Sequence, residues 1–333
     1  MVPPASLKSW SEGDRRMSEI LFTPWEGNDE RPLPPLEAVG GKGHSLYWLA
    51  IHGFPVPPTW VLSTTAFELA LQRAGLREPI AEIERTILSL EDDWAASQEA
   101  LEALEPLRRQ VATALQRVAL PDQVGRALEK LVLMPTQWAV RSSATAEDSL
   151  RHSFAGQFLS LLSVPSGITL WEAVRQVWAS TFGQKALTYC AQNRIPLPKM
   201  AVILQPMSPI TAQDRSGVIF SHSPVPTLPG VLIQVAFGTG EVVVGGYGGD
   251  LYSVQGDEVR VQPMPTTHIQ VTGSGGYTMR ATTPPGPALT EAEARQLATL
   301  ALQVSERWGG PVNIEFVWRA DQDPILVQVR PAK

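Results

Sequence analysis

Residues 137–149 read QWAVRSSATAEDS, and this stretch decides which fold the rest of the sequence can support. Its apolar first half, around Trp138, predicts a buried strand that ends on the guanidinium of Arg141. Small hydroxyl and alanine residues follow, and then Glu147 and Asp148. The planar donors of an arginine at a strand end suit a pair of phosphate oxygens, and the small side chains leave room for that ligand. We interpret the stretch as one wall of an anion site.

The end of this stretch also fits the start of a helix. Ser143 or Thr145 would cap the helix, with Glu147 and Asp148 in the first turn, where the helix dipole favours acids. Both interpretations can hold together, because the same acids can also anchor Arg141.

Two glycine-containing loops are further candidates for the anion site. Residues 39–45, VGGKGHS, lead into a predicted helix over 42–52, so backbone N–H groups would face an anion and Lys42 would add a point charge. The spacing differs from a P-loop, in which the first glycine and the Gly-Lys pair are further apart. A plain glycine turn with a solvated lysine fits equally well. The loop SFAGQ at 153–157 precedes a predicted strand and would close over the same ligand.

The last two predicted strands, VNIEFVW and PILVQVR, form a hairpin with one polar face. Alternate residues of a strand share a face, so a turn centred on 320–323 places Glu315 opposite Gln328 and Asn313 opposite Arg330. Carboxylate and amide oxygens are ligands for Mg²⁺, which is commonly shared with substrate phosphates. A polar strand face that simply meets water is the competing interpretation. The opposite face would be buried and consists of Ile314, Phe316, Trp318, Ile325, Val327 and Val329.

The composition is that of an ordinary folded protein. The chain has 333 residues, of which 44% are hydrophobic and 18% charged, and its net charge is −6. This balance gives no general nucleic-acid surface, and no apolar run is long enough to span a membrane. The lone Cys190 excludes an internal disulfide and suits a reducing compartment, so we expect a cytoplasmic protein without a secretory signal. Met17 is an alternative start. The histidines at 44, 52, 152, 222 and 268 show no metal-ligand spacing.

The chain divides into a tail and two lobes, which predicts an α/β (α+β) fold. Residues 1–35 are polar and proline-bearing, and we expect them to be unstructured. Residues 36–200 form a helix-rich lobe, with two or three helices predicted over 79–133 and one long helix over 170–190. Short β-type runs dominate 201–333, which we interpret as a β-rich lobe.

Eight segments, in this order, resemble the nucleotide-binding domain of phosphoenolpyruvate synthase and pyruvate phosphate dikinase, which rifampin phosphotransferases share. They are GGKGHSLYWLAIHGFPVPP, VRSSATAEDS, SFAGQF, VILQPM, SGVIFS, GTGEVVVGGYGGDLY, NIEF and VQVRPA. The resemblance covers residues 36–332. Each segment alone is a weak signal, whereas the ordered set is specific. The resemblance implies an ATP-grasp fold, with ATP clamped between the two lobes.

The resemblance also implies a set of ligand contacts contributed by both lobes, with ATP and Mg²⁺ as cofactors. The implied contacts are Lys42, Arg141 and Arg330 on phosphates, Gly156 and Ser160 along the nucleotide, Gln205 near the adenine, and Glu315 and Gln328 on Mg²⁺. Catalysis would then consist mainly of positioning and charge neutralisation by the three cationic side chains.

Several departures from the family pattern accompany the resemblance. Asn313 stands where the family commonly has aspartate, and the loop between Glu315 and Gln328 is one residue longer than in some relatives. GTGE replaces the usual Gly-Leu-Gly-Glu, and Gly-Asp replaces Pro-Asp before Tyr252. We expect the swivelling domain of relatives, with its phosphate-accepting histidine, to lie outside this chain.

We therefore expect the ATP-binding part of a split phosphotransferase. It would transfer a phosphoryl or pyrophosphoryl group from Mg-ATP to a histidine on a separate protein chain. A catalytically silent nucleotide-binding regulatory module is the alternative from another class, and an ATP-grasp ligase that activates a carboxylate is a third.

Overall fold

The computed structural model describes most of the chain. The described residues are 20–25, 31–90, 94–147, 156–240, 243, 248–264, 268–272, 278–282 and 284–332. Four parts of the sequence predictions lie outside them: most of the tail 1–35, Asp148, residues 153–155 of the loop SFAGQ, and the middle of the glycine-rich segment 238–252.

The first half of the chain builds a five-stranded antiparallel sheet, β1-β2-β5-β3-β4, with helices packed against it. Its strands are β1 (Leu21–Phe22), β2 (Trp60–Leu62), β3 (Gln137–Ala144), β4 (Ser160–Pro165) and β5 (Met200–Met207). The helices of this half are α1 (Leu36–Ile51), α2 (Thr64–Arg73), α3 (Arg77–Leu88), α4 (Trp94–Arg117), α5 (Asp122–Val132), α6 (Ile168–Ser180) and α7 (Gln184–Asn193).

The helical periodicity over 79–133 is confirmed as three helices, α3 to α5, and Pro121 is the residue before α5. The single long helix predicted over 170–190 is wrong, because the chain turns at Phe182–Gly183 and forms α6 and α7 instead. Gly183 has extended backbone angles (φ −68°, ψ 148°), which interrupt the helical hydrogen bonds. None of the described helices combines the length and the apolar character that crossing a membrane requires.

The second half of the chain builds a six-stranded antiparallel sheet, β13-β12-β6-β7-β8-β9, that carries one long helix. Its strands are β6 (Arg215–Phe220), β7 (Val231–Phe237), β8 (Asp250–Gln255), β9 (Glu258–Gln262), β12 (Val312–Trp318) and β13 (Ile325–Pro331), while β10 (His268–Thr272) and β11 (Thr278–Thr282) pair separately. Helix α8 (Glu291–Trp308) begins with a capping box, in which Thr290 and Glu293 exchange hydrogen bonds. Its apolar face packs on Ile314, Phe316 and Val329 in one core.

Two strands of the first sheet lie outside the segment predicted to form the helix-rich lobe. β1 falls within the predicted tail, where Leu21 pairs with Leu62, so the expectation of an unstructured tail does not hold for Leu21–Phe22. All of β5 except its first residue, Met200, lies beyond the predicted boundary at 200/201, and yet the strand lies between β2 and β3. The change from one sheet to the other therefore comes after Met207, while the division into two lobes remains a prediction.

Helix α1 lies between the two sheets and contacts both β3 and β13. Leu46 packs against β2 and β5, whereas Leu49 belongs to the core beneath α8. At the far end, the Trp48 ring meets Trp308 of α8 edge to face, with centroids 4.6 Å apart. The amide of Leu326 in β13 donates to Pro55 O, just after α1, at 2.7 Å. Any change in the spacing of the sheets must therefore involve α1.

Gly40 interrupts α1 with a positive φ (φ 69°, ψ 172°), a conformation that essentially only glycine adopts, so the helix restarts immediately before Lys42. A β-carbon at Gly40 would lie 1.9 Å from Ser143 O in β3, which is far inside van der Waals contact. Only glycine allows α1 to approach β3 this closely.

We expect Gly40→Ala to lower the free energy of unfolding by about 2–4 kcal/mol. The alanine would have to keep a positive φ, and its β-carbon would clash with the Ser143 carbonyl oxygen. Gly75→Ala is the matched control, since Gly75 also has a positive φ of 67° but its added β-carbon would meet nothing within 4 Å. Urea unfolding of both variants measures the difference. Equal losses would show that the contact between Gly40 and Ser143 is unimportant.

Candidate nucleotide site

Arg141 in β3 reaches from the first sheet to the last hairpin of the second. Its Nη1 donates to Val327 O at 2.7 Å, and its Nη2 donates to Gln328 Oε1 at 3.1 Å. The same nitrogen lies 3.5 Å from Glu315 Oε2. The Arg141 side chain is only 11% exposed, so these partners surround it within the interface. The prediction that the strand ends at Arg141 is wrong, because β3 continues to Ala144. The guanidinium faces a carboxylate and two carbonyl oxygens.

A β-bulge in the hairpin explains how the backbone reaches Arg141. Glu315 pairs with Gln328 and Phe316 pairs with Leu326, so Val327 is an extra residue between two regular pairs. The bulge leaves the Val327 carbonyl free to accept from Arg141. The extra loop residue seen in the sequence was the one available signal of this feature.

The bulge also corrects the predicted buried face of β13. Ile325 and Val327 are half-buried, whereas Leu326 is fully buried. Strict alternation fails at these positions because the extra residue reverses the direction of the side chains toward the turn. Ile314, Phe316, Trp318 and Val329 are buried as predicted.

The predicted register of the hairpin is confirmed for the two residue pairs that lie on the side of the bulge away from the turn. Glu315 pairs with Gln328, and Asn313 pairs with Arg330. Gln328 and Asn313 are only 6% and 7% exposed, so the interpretation of a merely solvated face is wrong for these two residues. The Arg330 side chain is half-buried and has no ion-pair or hydrogen-bond partner among the residues that the structure describes.

Lys42 lies in the first turn after the Gly40 interruption, and its ammonium is held by residues that follow Arg141. Its Nζ is 2.7 Å from Glu147 Oε1 and donates to Ser142 Oγ at 3.4 Å. The solvated lysine of the competing interpretation is therefore wrong. Glu147 does not anchor Arg141 as predicted, because Arg141 finds its partners in the second sheet. Both cations are fixed to β3, Arg141 as a member of it and Lys42 through Ser142.

Ser143 holds the glycine turn against β3. Its hydroxyl donates to Val39 O at 2.6 Å and accepts from Gly43 N at 2.9 Å. The helix start predicted at Ser143 or Thr145 is wrong for the described residues, since 145–147 form a turn. Thr145 instead bonds to Lys199, beside the start of β5, through both its amide and its hydroxyl. Ser143 therefore joins two motifs that the sequence presented separately.

The remaining predicted ligand residues have different surroundings. Ser160 is exposed and pairs with Arg141 across β3 and β4, and Gly156 is exposed with a positive φ of 69°. Gln205 is buried, and its Nε2 donates to Thr59 Oγ1 at 2.9 Å. The roles of these three residues in ligand binding remain predictions.

The chemistry available at the site is charge stabilisation. Among the described residues, no group of three histidine, cysteine, aspartate or glutamate side chains could hold a metal by itself. Burial, aided by the nearby charge of Glu84, raises the pKa of Cys190 to about 12, so this thiol is a poor nucleophile. An ammonium, two guanidinium groups and a carboxylate–amide pair suit a polyanion that brings its own metal ligands.

Residues 36–333 match the family of the pyruvate phosphate dikinase AMP/ATP-binding domain, and the chain belongs to this family. The family indicated by the sequence motifs is thereby confirmed, together with ATP binding as the property of this class of domain. Rifampicin phosphotransferase of Streptomyces sviceus is 31% identical over 88% of this chain. Probable phosphoenolpyruvate synthases of Methanothermobacter thermautotrophicus and Archaeoglobus fulgidus are 28% and 30% identical over 96% and 91% of it.

These relatives are much longer than this chain. The match covers 34% of the Streptomyces sviceus protein, 47% of the Methanothermobacter thermautotrophicus protein and 40% of the Archaeoglobus fulgidus protein. The similarity therefore describes an ATP-binding domain of the phosphotransferase type and does not extend to the rest of those proteins.

We expect Ser143→Ala to lower the free energy of unfolding by about 2–3 kcal/mol, because it leaves Val39 O and Gly43 N buried without their partner. Ser160→Ala is the control, since Ser160 is exposed and lies opposite Arg141 in the same sheet. Urea unfolding followed by circular dichroism compares them. A Ser143→Ala protein as stable as the Ser160→Ala protein would contradict the role given to this hydroxyl.

Proposed function

We propose that this domain is an ATP-grasp phosphotransferase module that binds Mg-ATP between its two sheets. It would transfer a phosphoryl or pyrophosphoryl group to a histidine on a separate protein chain. The observation that carries the proposal is the contact of Arg141 with Gln328 and Glu315, which joins a cation of one sheet to candidate metal ligands of the other. Family membership supports the same conclusion.

The triphosphate would lie along the line of cations that starts at α1. Lys42 stands just after the helix restart, where the helix dipole favours an anion. Arg141 offers a planar fork, and Arg330 has no described partner that a phosphate would need to displace. Neutralising the phosphate charge and holding it in line would be the catalytic work of these residues.

Glu315 and Gln328 are suited to hold Mg²⁺. They are directly paired across β12 and β13, and an oxygen of each approaches the same nitrogen of Arg141. One carboxylate and one amide oxygen, completed by phosphate oxygens and water, satisfy the preference of Mg²⁺ for oxygen ligands. Mg²⁺ would supply charge neutralisation between phosphate groups there. Arg141 must give up these two oxygens before they can bind a cation, which would free its guanidinium for phosphate.

The nucleoside would extend from the phosphates along β4 and β5. Gly156 and Ser160 are exposed on that side, and Gln205 shares a face of the first sheet with Arg141, since it pairs with Ala139 in β3. Thr59 Oγ1 donates to Pro57 O at 2.8 Å, so it can only accept from Gln205 Nε2. This leaves Gln205 Oε1 as an acceptor, which suits the exocyclic amine of adenine.

The phosphoryl acceptor is proposed from the length of the relatives. This chain spans between about a third and a half of the relatives named above, so a partner chain that carries the acceptor histidine fits the pattern. In this proposal one lobe ends after Met207, where the chain leaves the first sheet, and the other continues to Lys333. The buried Cys190 suits a cytoplasmic location.

One observation favours a regulatory module as the second candidate. Asn313, which is buried beside Arg330, stands where the family pattern has an aspartate, so a negative charge is missing next to the proposed metal ligands. A domain that binds nucleotide without turning it over would keep Lys42, Arg141 and Glu315 and tolerate this change. A ligase is disfavoured because the family match covers nearly the whole chain.

We expect Arg141→Ala to weaken ATP binding about 10- to 100-fold, because a charged hydrogen bond to phosphate is lost. Isothermal titration with ATP and Mg²⁺ measures the affinity. Arg175→Ala is the matched control, since Arg175 is half-buried in α6, donates to Val118 O and stacks on Trp171. Unchanged affinity in Arg141→Ala would remove this residue from the site.

We expect Mg-ATP to label a histidine-bearing swivelling domain in the presence of this protein and to release AMP or ADP. Transfer from β- or γ-labelled ATP to the acceptor distinguishes a pyrophosphoryl from a phosphoryl donor. Glu315→Gln, which removes the proposed metal carboxylate, should abolish labelling. ATP binding without labelling of any candidate acceptor would favour the regulatory module.

A further inference from the structure

We propose that Glu147 is a positioning residue that orients the ammonium of Lys42 toward the phosphates of the nucleotide. The proposal rests on the function proposed above and adds a residue to it. Glu147 carries no phosphate contact itself, because a carboxylate next to a polyphosphate would repel it. Its effect would pass entirely through Lys42.

The hydrogen bonds of the Lys42 ammonium leave one direction for a ligand. A lysine ammonium has three N–H donors and no acceptor. One points at Glu147 Oε1 at 2.7 Å, and a second lies 3.4 Å from Ser142 Oγ. No third acceptor for Lys42 occurs among the described residues, and 14% of its side chain is exposed. The remaining donor is therefore the one available to a phosphate oxygen.

Glu147 is itself held rigidly, so it can fix the position of a flexible partner. Its Oε2 accepts from Ala144 N at 2.9 Å, and its own amide donates to Ala144 O at 3.0 Å, which closes the turn after β3. The Glu147 side chain is only 2% exposed. Ser142 Oγ donates to Glu147 Oε1 at 3.4 Å and so completes a ring of contacts around Lys42.

The two oxygens of Glu147 have different partners, which makes the carboxylate hard to replace. Oε1 serves Lys42 and Ser142, while Oε2 serves the backbone of Ala144. Glutamine has one acceptor oxygen and cannot satisfy both the backbone donor and the ammonium. Glu147→Gln therefore keeps the Lys42 ammonium but removes the contact that orients it.

Orientation matters here because lysine is a point charge on a flexible stem. An ammonium that is already held near the phosphate position loses less conformational freedom when the ligand binds. Without Glu147, Lys42 would keep its charge but sample positions outside the site. The expected consequence is weaker nucleotide binding despite an added net positive charge, which is the opposite of what simple charge attraction predicts.

The test is a double-mutant cycle on ATP affinity, measured by isothermal titration with Mg²⁺. We expect Glu147→Gln to weaken binding about tenfold and Lys42→Met to weaken it at least as much. In the Lys42→Met background, Glu147→Gln should change the affinity by less than about twofold, because the residue through which it acts is gone. A purely structural role would lower affinity by the same factor in both backgrounds.

Glu293→Gln is the matched control. Glu293 forms a comparable, mostly buried ion pair at 2.6 Å with Arg215, the first residue of β6. It should reduce thermal stability while leaving ATP affinity within about twofold of the starting protein. If Glu147→Gln fails to fold, Glu147→Asp keeps both oxygens and withdraws them by one methylene, and the same cycle applies.

The outcomes separate this inference from the function on which it rests. If the unaltered protein does not bind ATP, the proposed function fails and the inference with it. If the unaltered protein binds ATP but Lys42→Met binds it equally well, Lys42 is no phosphate ligand. The inference and the role proposed for Lys42 then fail, while ATP binding by the domain stands. Unchanged or tighter binding in Glu147→Gln, or an equal loss in both backgrounds, also overturns the inference.

Discussion

The guanidinium of Arg141 is the interaction on which the arrangement of the two sheets depends. It leaves β3 of the first sheet and bonds to the bulge and to Gln328 in the edge strand of the second. A mostly buried cation needs partners that offset its desolvation, and here all of them come from the other sheet. The need of the Arg141 guanidinium for polar partners thus fixes where the last hairpin lies relative to β3.

Helix α1 stabilises the same interface from the other side. The positive φ of Gly40 allows the helix to restart against β3. There Ser143 bonds to the glycine turn, and Lys42 pairs with Glu147. The helix then continues to Trp48, which packs on Trp308 at the end of α8. The glycine motif therefore combines a packing role with a functional one: the close approach that excludes a β-carbon also brings an ammonium beside the strand that carries Arg141.

In this structure the site cations are neutralised by the protein itself. Lys42 is paired with Glu147, and Arg141 lies against Glu315 and Gln328, whereas Arg330 has no partner in the described part of the chain. A nucleotide would have to compete with some of these contacts, and Mg²⁺ would need the two oxygens that Arg141 now approaches. The family to which the domain belongs binds AMP or ATP, and such an exchange of partners is a way to couple nucleotide and metal binding.

The sequence by itself determined the features that depend on local periodicity and on motif order. Alternation in β12 and β13 was enough to pair Glu315 with Gln328 and Asn313 with Arg330, and the ordered motifs were enough to identify the family. Local signals could not reveal that Glu147 pairs with Lys42 rather than with Arg141, that the extra hairpin residue is accommodated at Val327, or that β5 belongs to the first sheet. Each of these depends on partners brought together from distant parts of the chain. Tertiary packing decided them, because buried charges and free carbonyls accept whichever partner the folded chain places within hydrogen-bonding distance.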